Sequence, residues 1–332
     1  MTMSLKTLAS SLASSVVPGS PAFVLVDPMM GEPIPIEYSA DALDLPAPNS
    51  GRERAWLRPV HVIKLAQNIA VPPHLHPYLV ELQGPDDPWL ADTVEIACEE
   101  QAETQAAGLA SRGVAAHCIG GWLQSSLSPG DLTRTLTAMM NVNTEARTTA
   151  LYQRLADRRA LGWLRHVVGD ARVVAPFGRI QSWHYLDACG RLALLQSSAE
   201  VASPLRLTHG EWAAFMTGAL LHPTVARWLG ELALQPNQSE ASPVDAGACY
   251  AQAGVALERA EAAARRWPRR FADPADRVAW AVLSLLHPGI EQSPDVVAML
   301  NAPAEPDEPH EPIETLDALS PTLNALRLKA TP

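Results

Sequence analysis

Cysteine is scarce in this chain of 332 residues, and no two of its four cysteines stand at CxxC spacing. Secreted disulfide scaffolds are shorter and much richer in cysteine, and structural zinc sites show paired ligands at short, regular spacing. The scarcity excludes both classes, so we expect free cysteines in a reducing compartment. The four positions are Cys98, Cys118, Cys189 and Cys249.

Long apolar runs are also lacking, and basic residues are fewer than acidic ones. No stretch of about 18 apolar residues occurs, so no segment is predicted to span a membrane. Residues 1–20 are rich in Ser and Ala and lack the compact apolar block of a secretion signal, so we expect a cytoplasmic protein. The formal net charge is −11. Such an acidic chain has no general attraction to nucleic acid or anionic lipid, and neither is an expected partner.

The common catalytic motifs are absent from the sequence: GxSxG, GxxxxGK[ST], GxGxxG and HExxH. His117 and Cys118 together suggest a cysteine nucleophile, but adjacent residues of a strand point to opposite faces. We interpret them as a buried strand end, with Gly120 and Gly121 forming the turn that leads to Trp122. We therefore predict no catalytic residue and a protein that is not an enzyme.

Three histidines have the spacing closest to that of a metal site. His74 and His76 would share one face of a strand, and His61 lies upstream. Prolines bound the pair, however, and no acidic or cysteine ligand follows at a suitable interval, whereas zinc needs three or four ligands. We predict surface histidines, with neither a metal nor a cofactor.

Apolar residues make up 47% of the chain, enough for a large core, and strand-like and helix-like spacings alternate along its first part. We predict a flexible amino terminus over residues 1–20 and a mixed α/β domain over residues 21–203. Its predicted strands are residues 22–27, 60–65, 78–82, 114–118 and 148–155, and a hairpin of 180–186 with 191–195. Its predicted helices are residues 88–113, one that starts at Pro129, and 157–168.

After residue 203 no strand pattern is seen, and helix-start signals follow one another. We predict an all-α helical domain of about five helices over residues 204–302. The predicted helices start near Glu211, Pro223, Pro243, Pro274 and Pro294. Residues 303–332 are predicted to form a solvated acidic tail, because proline recurs every three residues among Glu and Asp and favours extended polyproline geometry.

One basic cluster and several aromatic residues are candidates for partner binding. Arg265, Arg266, Arg269 and Arg270 surround Trp267, and in so acidic a chain we interpret them as a helix end or a docking surface for an acidic protein. Tryptophan, which is enriched at interfaces, outnumbers Phe and Tyr individually. The candidate aromatic anchors, which also suit a core, are Trp212, Phe215, Trp228 and Trp280.

A series of short stretches between residues 22 and 195 occurs in an order that is typical of one protein family. The stretches are AFVLVDPMMGEP (22–33), HPYLVEL (76–82), GWLQSSL (121–127), LTRTLTAMMNV (132–142), TALYQRL (149–155), DRRAL (157–161), LGWLRHVV (161–168) and APFGRIQSWHYLDACGRL (175–192). They resemble the domain of bacterial type VI secretion adaptors, the Tap or TEC effector chaperones. Arg158 departs from the pattern, because that family usually has proline there.

The resemblance implies a dedicated cytoplasmic chaperone with neither catalysis nor cofactor. Such a protein would bind a cognate secreted effector and bring it to the VgrG-like spike protein. Asp157 and Arg159 become candidates for partner contact, although Asp157 equally suits the cap of the helix that follows. Two other classes stay open: a cytoplasmic enzyme with an unrecognised Cys/His site, and a general protein-binding scaffold outside secretion.

Overall fold

The computed structural model describes residues 4–36, 48–65, 69–106, 117–145, 147–197, 202–234 and 245–301. The chain divides into two compact units, Met1–Glu103 with Ala115–Met216, and Thr104–Val114 with Thr217–Pro332. Helices and strands are both present, so the predicted mixed α/β class is confirmed. The domain boundaries stay a prediction, and the predicted tail lies outside the described residues.

The elements are numbered in chain order. The described helices are α1 (Leu5–Ser15), α2 (Pro48–Trp56), α3 (Pro88–Ala106), α4 (Pro129–Met140), α5 (Arg158–Val168), α6 (Asp170–Val174), α7 (His209–Met216), α8 (Gly218–Ala233), α9 (Ala246–Arg266), α10 (Pro274–Leu286) and α11 (Pro294–Asn301). The described strands are β1 (Ala22–Val26), β2 (Val60–Val62), β3 (Tyr78–Leu82), β4 (Ile119–Ser125), β5 (Asn141–Thr144), β6 (Arg147–Tyr152), β7 (Ile180–Leu186), β8 (Leu192–Gln196) and β9 (Arg206–Leu207). No helix among them is both long and apolar enough to cross a membrane.

Six strands form one antiparallel sheet in the order β2-β3-β1-β4-β7-β8. All residues of β1 are buried, and alternate side chains enter two different core clusters. Phe23 and Leu25 belong to a cluster with residues of α4 and α5, and Val24 belongs to a cluster with residues of α1, α2 and α3. Because successive strand residues point to opposite faces, the sheet is covered by helices on both sides.

The amino terminus differs from the prediction of a flexible segment over residues 1–20. Ser4 caps α1, since its Oγ accepts the Thr7 backbone N–H at 3.2 Å. Leu8 and Leu12, one helical turn apart, are both buried against the sheet. Burial of these two leucines orders a segment whose Ser/Ala composition alone gives only a weak signal.

A second, three-stranded sheet has the order β6-β5-β9, with β5 and β9 parallel. β9 lies in the range that we predicted to be wholly helical, and that detail of the prediction is wrong. The strand has only two residues, Arg206 and Leu207, so no alternating pattern announces it. Only its pairing with Asn143 and Thr144, far away in the sequence, makes it a strand.

The predicted turn at Gly120 and Gly121 is wrong, because both glycines lie within β4, which begins at Ile119. The first part of the predicted strand 114–118 lies outside the described residues. Leu25 pairs with Gly121 and Val26 with Ile119, so Gly120 is the extra residue of a β-bulge. A Cβ at Gly120 would lie 2.2 Å from the Ala156 carbonyl oxygen. The glycines therefore allow neighbouring backbone to approach the strand closely.

Five described helices follow β9, which is the number predicted. Two of them begin at residues other than the predicted ones. α8 begins at Gly218, and Pro223 lies inside it instead of starting it. Leu221 and Val225, on either side of the proline, are buried, which offsets the cost of the missing N–H. α9 begins at Ala246, where the Asp245 carboxylate accepts the Ala248 N–H at 2.8 Å.

Candidate functional site

One arginine joins two buried aspartates that are far apart in the sequence. Asp27 directly follows β1, and Asp157 directly precedes α5. Arg154 Nε donates to Asp27 Oδ2 at 2.6 Å, and its Nη1 lies 3.7 Å from Asp157 Oδ2. With Arg159 they form what we call the strand-end cluster. It connects the opening strand of the sheet to the DRRAL segment, two stretches of the family resemblance.

Asp157 is the amino-terminal cap of α5, as the sequence suggested. Its Oδ1 accepts the Arg159 backbone N–H at 3.0 Å, and Arg159 Nη2 donates to Oδ2 at 2.6 Å. Burial by itself would raise the pKa of this carboxyl, but Arg159, His117 and Arg154 outweigh it and hold the pKa well below its usual range. The capping prediction is confirmed, and a role in partner contact stays a prediction.

At Asp27 the effect of burial on the pKa outweighs the effect of the neighbouring groups. Burial raises its pKa above the usual range even though Arg154 and the Met29 backbone N–H both act to lower it. Its Oδ1 accepts that N–H at 3.0 Å and so caps the 3-10 turn Pro28–Met30. Two aspartates that share one arginine therefore differ in proton affinity, because Asp157 has additional cationic neighbours.

Arg158, the residue that departs from the family pattern, holds a buried ion pair that the sequence analysis missed. Its Nη1 donates to Glu100 Oε2 at 2.6 Å and to the Ile119 carbonyl at 2.8 Å, and Nη2 donates to the Ala97 carbonyl at 2.8 Å. Glu100 Oε1 accepts the Cys118 N–H at 2.7 Å. Arg158 thus connects α3, β4 and α5. An arginine at the first turn of a helix, in place of proline, was the available signal.

Cys118 is buried as predicted and lies in surroundings unsuited to a nucleophile. Its thiol donates to the Gly31 carbonyl at 3.2 Å. Burial, with Glu100 and Asp27 adding to it, raises the pKa of this thiol to about 12. The reactive thiolate form is therefore almost absent at neutral pH.

The three histidines of the candidate metal site are not brought together as ligands. His61 Nε2 lies 2.7 Å from Glu81 Oε1 on the neighbouring strand, and His76 Nε2 contacts the Val71 carbonyl at 3.1 Å. The backbone carbonyl of His74 accepts a hydrogen bond from Arg52 at 2.5 Å. Within the described ranges, no three His, Cys, Asp or Glu side chains are grouped so that they could hold a metal ion.

The predicted hairpin of β7 and β8 is confirmed. Asp187 Oδ1 accepts the backbone N–H groups of Cys189 and Arg191 at 2.8 and 3.0 Å, and Gly190 has a φ of +70° that favours glycine at this turn. Trp183, fully buried in β7, donates to the Gly120 carbonyl at 3.3 Å. The Trp-x-x-x-Asp-x-x-Gly stretch therefore builds the hairpin and connects it to β4.

The predicted basic cluster lies at the carboxyl end of α9 and in the turn after it. Arg265, Arg266 and Arg269 are exposed, and the Arg266 guanidinium lies 4.4 Å from the centre of the Trp267 ring. Trp267 Nε1 donates to Asn301 Oδ1 at 2.9 Å. We call Arg265, Arg266, Arg269 and Arg270 the arginine surface. Its three exposed members, Arg265, Arg266 and Arg269, contribute little to stability, as exposed arginines generally do.

The four candidate aromatic anchors divide into two groups. Trp228 and Trp280 are buried and belong to the core of the second unit. Trp212 and Phe215, on α7, are half-buried and pack against the core of the first unit. Trp163 Nε1 donates to the backbone carbonyls of α7, so this helix is fixed to α5.

Comparisons of the chain with protein-family models, curated proteins and solved structures find no match.

Proposed function

We propose that this chain is a type VI secretion adaptor that binds one secreted effector in the cytoplasm and loads it onto a VgrG-like spike protein. The observation that carries the proposal is the strand-end cluster. Arg154 joins the aspartate of the opening strand to the aspartate of the DRRAL segment, so two separate stretches of the family resemblance meet at one place. The Trp183 hairpin, a third stretch, belongs to the same sheet.

The proposal includes an organisation that suits a bridging protein. We infer an α/β adaptor domain over residues 21–203, an all-α helical domain over residues 204–302, and an acidic Pro-rich tail over residues 303–332. Two domains offer separate surfaces to an effector and to a spike protein. In this account Asp157 and Arg159 support partner binding by holding the start of α5, and the arginine surface contacts an acidic partner.

Recovery of bound proteins from native cells tests the proposal. The tagged chain is purified at low salt, and the proteins that accompany it are identified by mass spectrometry. We expect an effector and a spike protein encoded near its own gene. Replacement of Arg265 and Arg269 by alanine is expected to reduce recovery several-fold, and elevated salt is expected to do the same.

The matched control replaces two exposed arginines of the first unit, Arg54 and Arg134, by alanine, with the same change in net charge. This variant is expected to recover partners like the native chain. Recovery of neither an effector nor a spike protein would contradict the adaptor proposal. Equal recovery by both arginine variants would remove the arginine surface from it.

A further inference from the structure

The two edge strands of the six-stranded sheet, β2 and β8, differ in how they are protected. β2 has three residues, and the backbone N–H of Val60 reaches the Glu53 carboxylate at 3.5 Å. β8 has five residues, LALLQ, with no charged side chain, no proline and no break in its register with β7. Proteins commonly protect a sheet edge by one of those three features. β8 therefore lacks the usual protection against pairing with a further strand.

The bonds between β7 and β8 show which backbone groups of β8 point outward. The Asp187 N–H donates to the Arg191 carbonyl at 2.9 Å, and the Ser197 N–H donates to the Gln181 carbonyl at 3.3 Å. Both pairs continue the register of the two strands. Hydrogen-bonded and non-hydrogen-bonded pairs alternate along an antiparallel ladder. The odd-numbered residues of β8 are therefore bonded to β7, and the even-numbered ones direct their backbone groups away from it.

The outward groups of β8 belong to Leu192, Leu194 and Gln196. Among the residues that the structure describes, none forms a hydrogen bond with these N–H and C=O groups. Leu194, in the middle, is 41% exposed, and Gln196 is exposed as well. Unpaired backbone groups of an edge strand form a template for a further strand.

The sequence of β8 is complementary to a second copy of itself. When two copies pair antiparallel about a two-fold axis at Leu194, that leucine faces its own counterpart, and Leu192 faces Gln196 of the partner subunit. Every residue in these pairs directs its N–H and C=O to the interface, so all the outward groups are bonded. Ala193 then faces Leu195 of the partner subunit, a small side chain opposite a large one.

The absence of charge on β8 also favours a second copy. The chain carries a formal net charge of −11, so two copies repel each other over most of their surface. Like charges directly opposite each other would destabilise a strand pair, and β8 has none to place there. A charged segment of another protein would find no opposite charge on this strand. An identical edge finds a match for each unpaired group, as an isologous interface requires.

We propose that β8 pairs with β8 of a second copy about a two-fold axis at Leu194, so that the two sheets form one continuous sheet. The proposal does not rest on a function in secretion. A contact built on one pair of strands is small, and we expect a dissociation constant of about 1–100 µM.

Cysteine cross-linking tests the register of this pair. In Leu194→Cys the two introduced thiols face each other, with Cα atoms about 5.5 Å apart, a separation that a disulfide spans. Gln196→Cys is the matched control on the same strand, because its two thiols lie on the order of 14 Å apart along the strand direction. We expect oxidation by diamide to convert most of the Leu194→Cys chain to a covalent dimer. The Gln196→Cys chain and the native chain are expected to stay uncross-linked.

Analytical ultracentrifugation of the full-length chain tests the association itself. We expect the dimer fraction of the native chain to rise between about 1 and 100 µM. Leu194→Lys places two like charges on the axis and is expected to weaken association at least about threefold. The control Leu234→Lys makes the same change in charge at an exposed leucine of the second unit, and it is expected to associate like the native chain. Thermal melting confirms that all variants are folded.

Four results would overturn the proposal. The native chain is monomeric over the whole concentration range, or Gln196→Cys cross-links as readily as Leu194→Cys. Equal weakening in Leu234→Lys would assign the effect to net charge. In a cell extract, a Leu194→Cys adduct with another protein in place of the covalent dimer would assign the edge to an extended segment of a different partner.

Discussion

Arg158 is the residue at which three elements of the first unit meet. Its guanidinium is almost fully buried and is held by Glu100 and by carbonyl groups of α3 and β4. Removing one partner of a buried ion pair leaves an uncompensated charge, which is costlier than replacing both. Loss of Arg158 is therefore expected to lower stability mainly because the Glu100 carboxylate would stay buried without its Arg158 partner.

We predict that Arg158→Met lowers the free energy of unfolding by about 3–5 kcal/mol. Glu100→Gln in the same chain is expected to recover part of this loss, because the buried charge is removed while one oxygen still accepts the Cys118 N–H. Urea unfolding of both single variants and the double variant measures the coupling. A loss below about 1 kcal/mol in Arg158→Met would show that the pair has little influence on stability.

Asp157 provides a test at acid pH. Its pKa is lower in the folded chain than in the unfolded chain, so its contribution is present above the unfolded value of about 3.9 and is lost as the pH falls through the folded value. Asn also caps helices. We therefore expect Asp157→Asn to cost on the order of 2 kcal/mol at pH 7 and progressively less below pH 4.

Denaturant unfolding of Asp157→Asn and the native chain between pH 2 and pH 7 measures this difference. Asp131, Asp170 and Glu211, whose pKa values are also lowered by their partners, are present in both chains and cancel. Asp27 has a raised pKa and the opposite pH dependence, and the Asp157 charge is one cause of that rise. Its contribution therefore does not cancel and forms part of the measured difference. If the difference in free energy of unfolding stays constant from pH 2 to pH 7, the ionised Asp157 carboxylate is not the source of the stabilisation.

At the residue scale the sequence predicts local roles and misses long-range ones. The cap at Asp157 follows from its position just before a helical pattern, and the structure confirms it. The bond from Arg154 to Asp27 and the pair of Arg158 with Glu100 depend on the fold that brings separate segments together. No local pattern contains that information.

At the element scale, two of the helix starts predicted from a cap and a proline are confirmed at α4 and α10, whereas those at Pro223 and Pro243 are not. Ser128 caps α4 and Asp273 caps α10, each with proline at the first helical position. Two of the elements that were not predicted have other causes: α1 is ordered by burial of its leucines, and β9 by its parallel pairing with β5. The role of the β4 glycines was misjudged because it depends on the chain that packs against them.

The bulge in β4 gives a direct test at this scale. A methyl group at Gly120 would clash with the Ala156 carbonyl oxygen at 2.2 Å, so Gly120→Ala is expected to lower the free energy of unfolding by about 1–3 kcal/mol. Gly254→Ala in α9 is the control, because no atom lies within 4 Å of the added methyl group. Helix propensity predicts a gain of about 0.5–1 kcal/mol there. Calorimetric melting measures the stability of both variants. A Gly120→Ala chain that is as stable as the native chain would contradict close packing at the bulge.

At the scale of the whole molecule, the proposed function is a bridge between two proteins. The family resemblance lies between residues 22 and 195, while the arginine surface lies on α9 and the turn after it. Fold class was predicted from alternating strand and helix patterns, but the choice of partners is not encoded in such patterns. Partner identity depends on surfaces that only a binding experiment can assign.

The most direct test of the adaptor proposal is a three-component reconstitution. The neighbouring effector is immobilised, the purified spike protein is added, and retention of the spike is measured with and without this chain. The account predicts that the spike is retained only when the chain is present, with all three proteins in one complex. Retention of the spike without the chain, or no retention with it, would contradict the account.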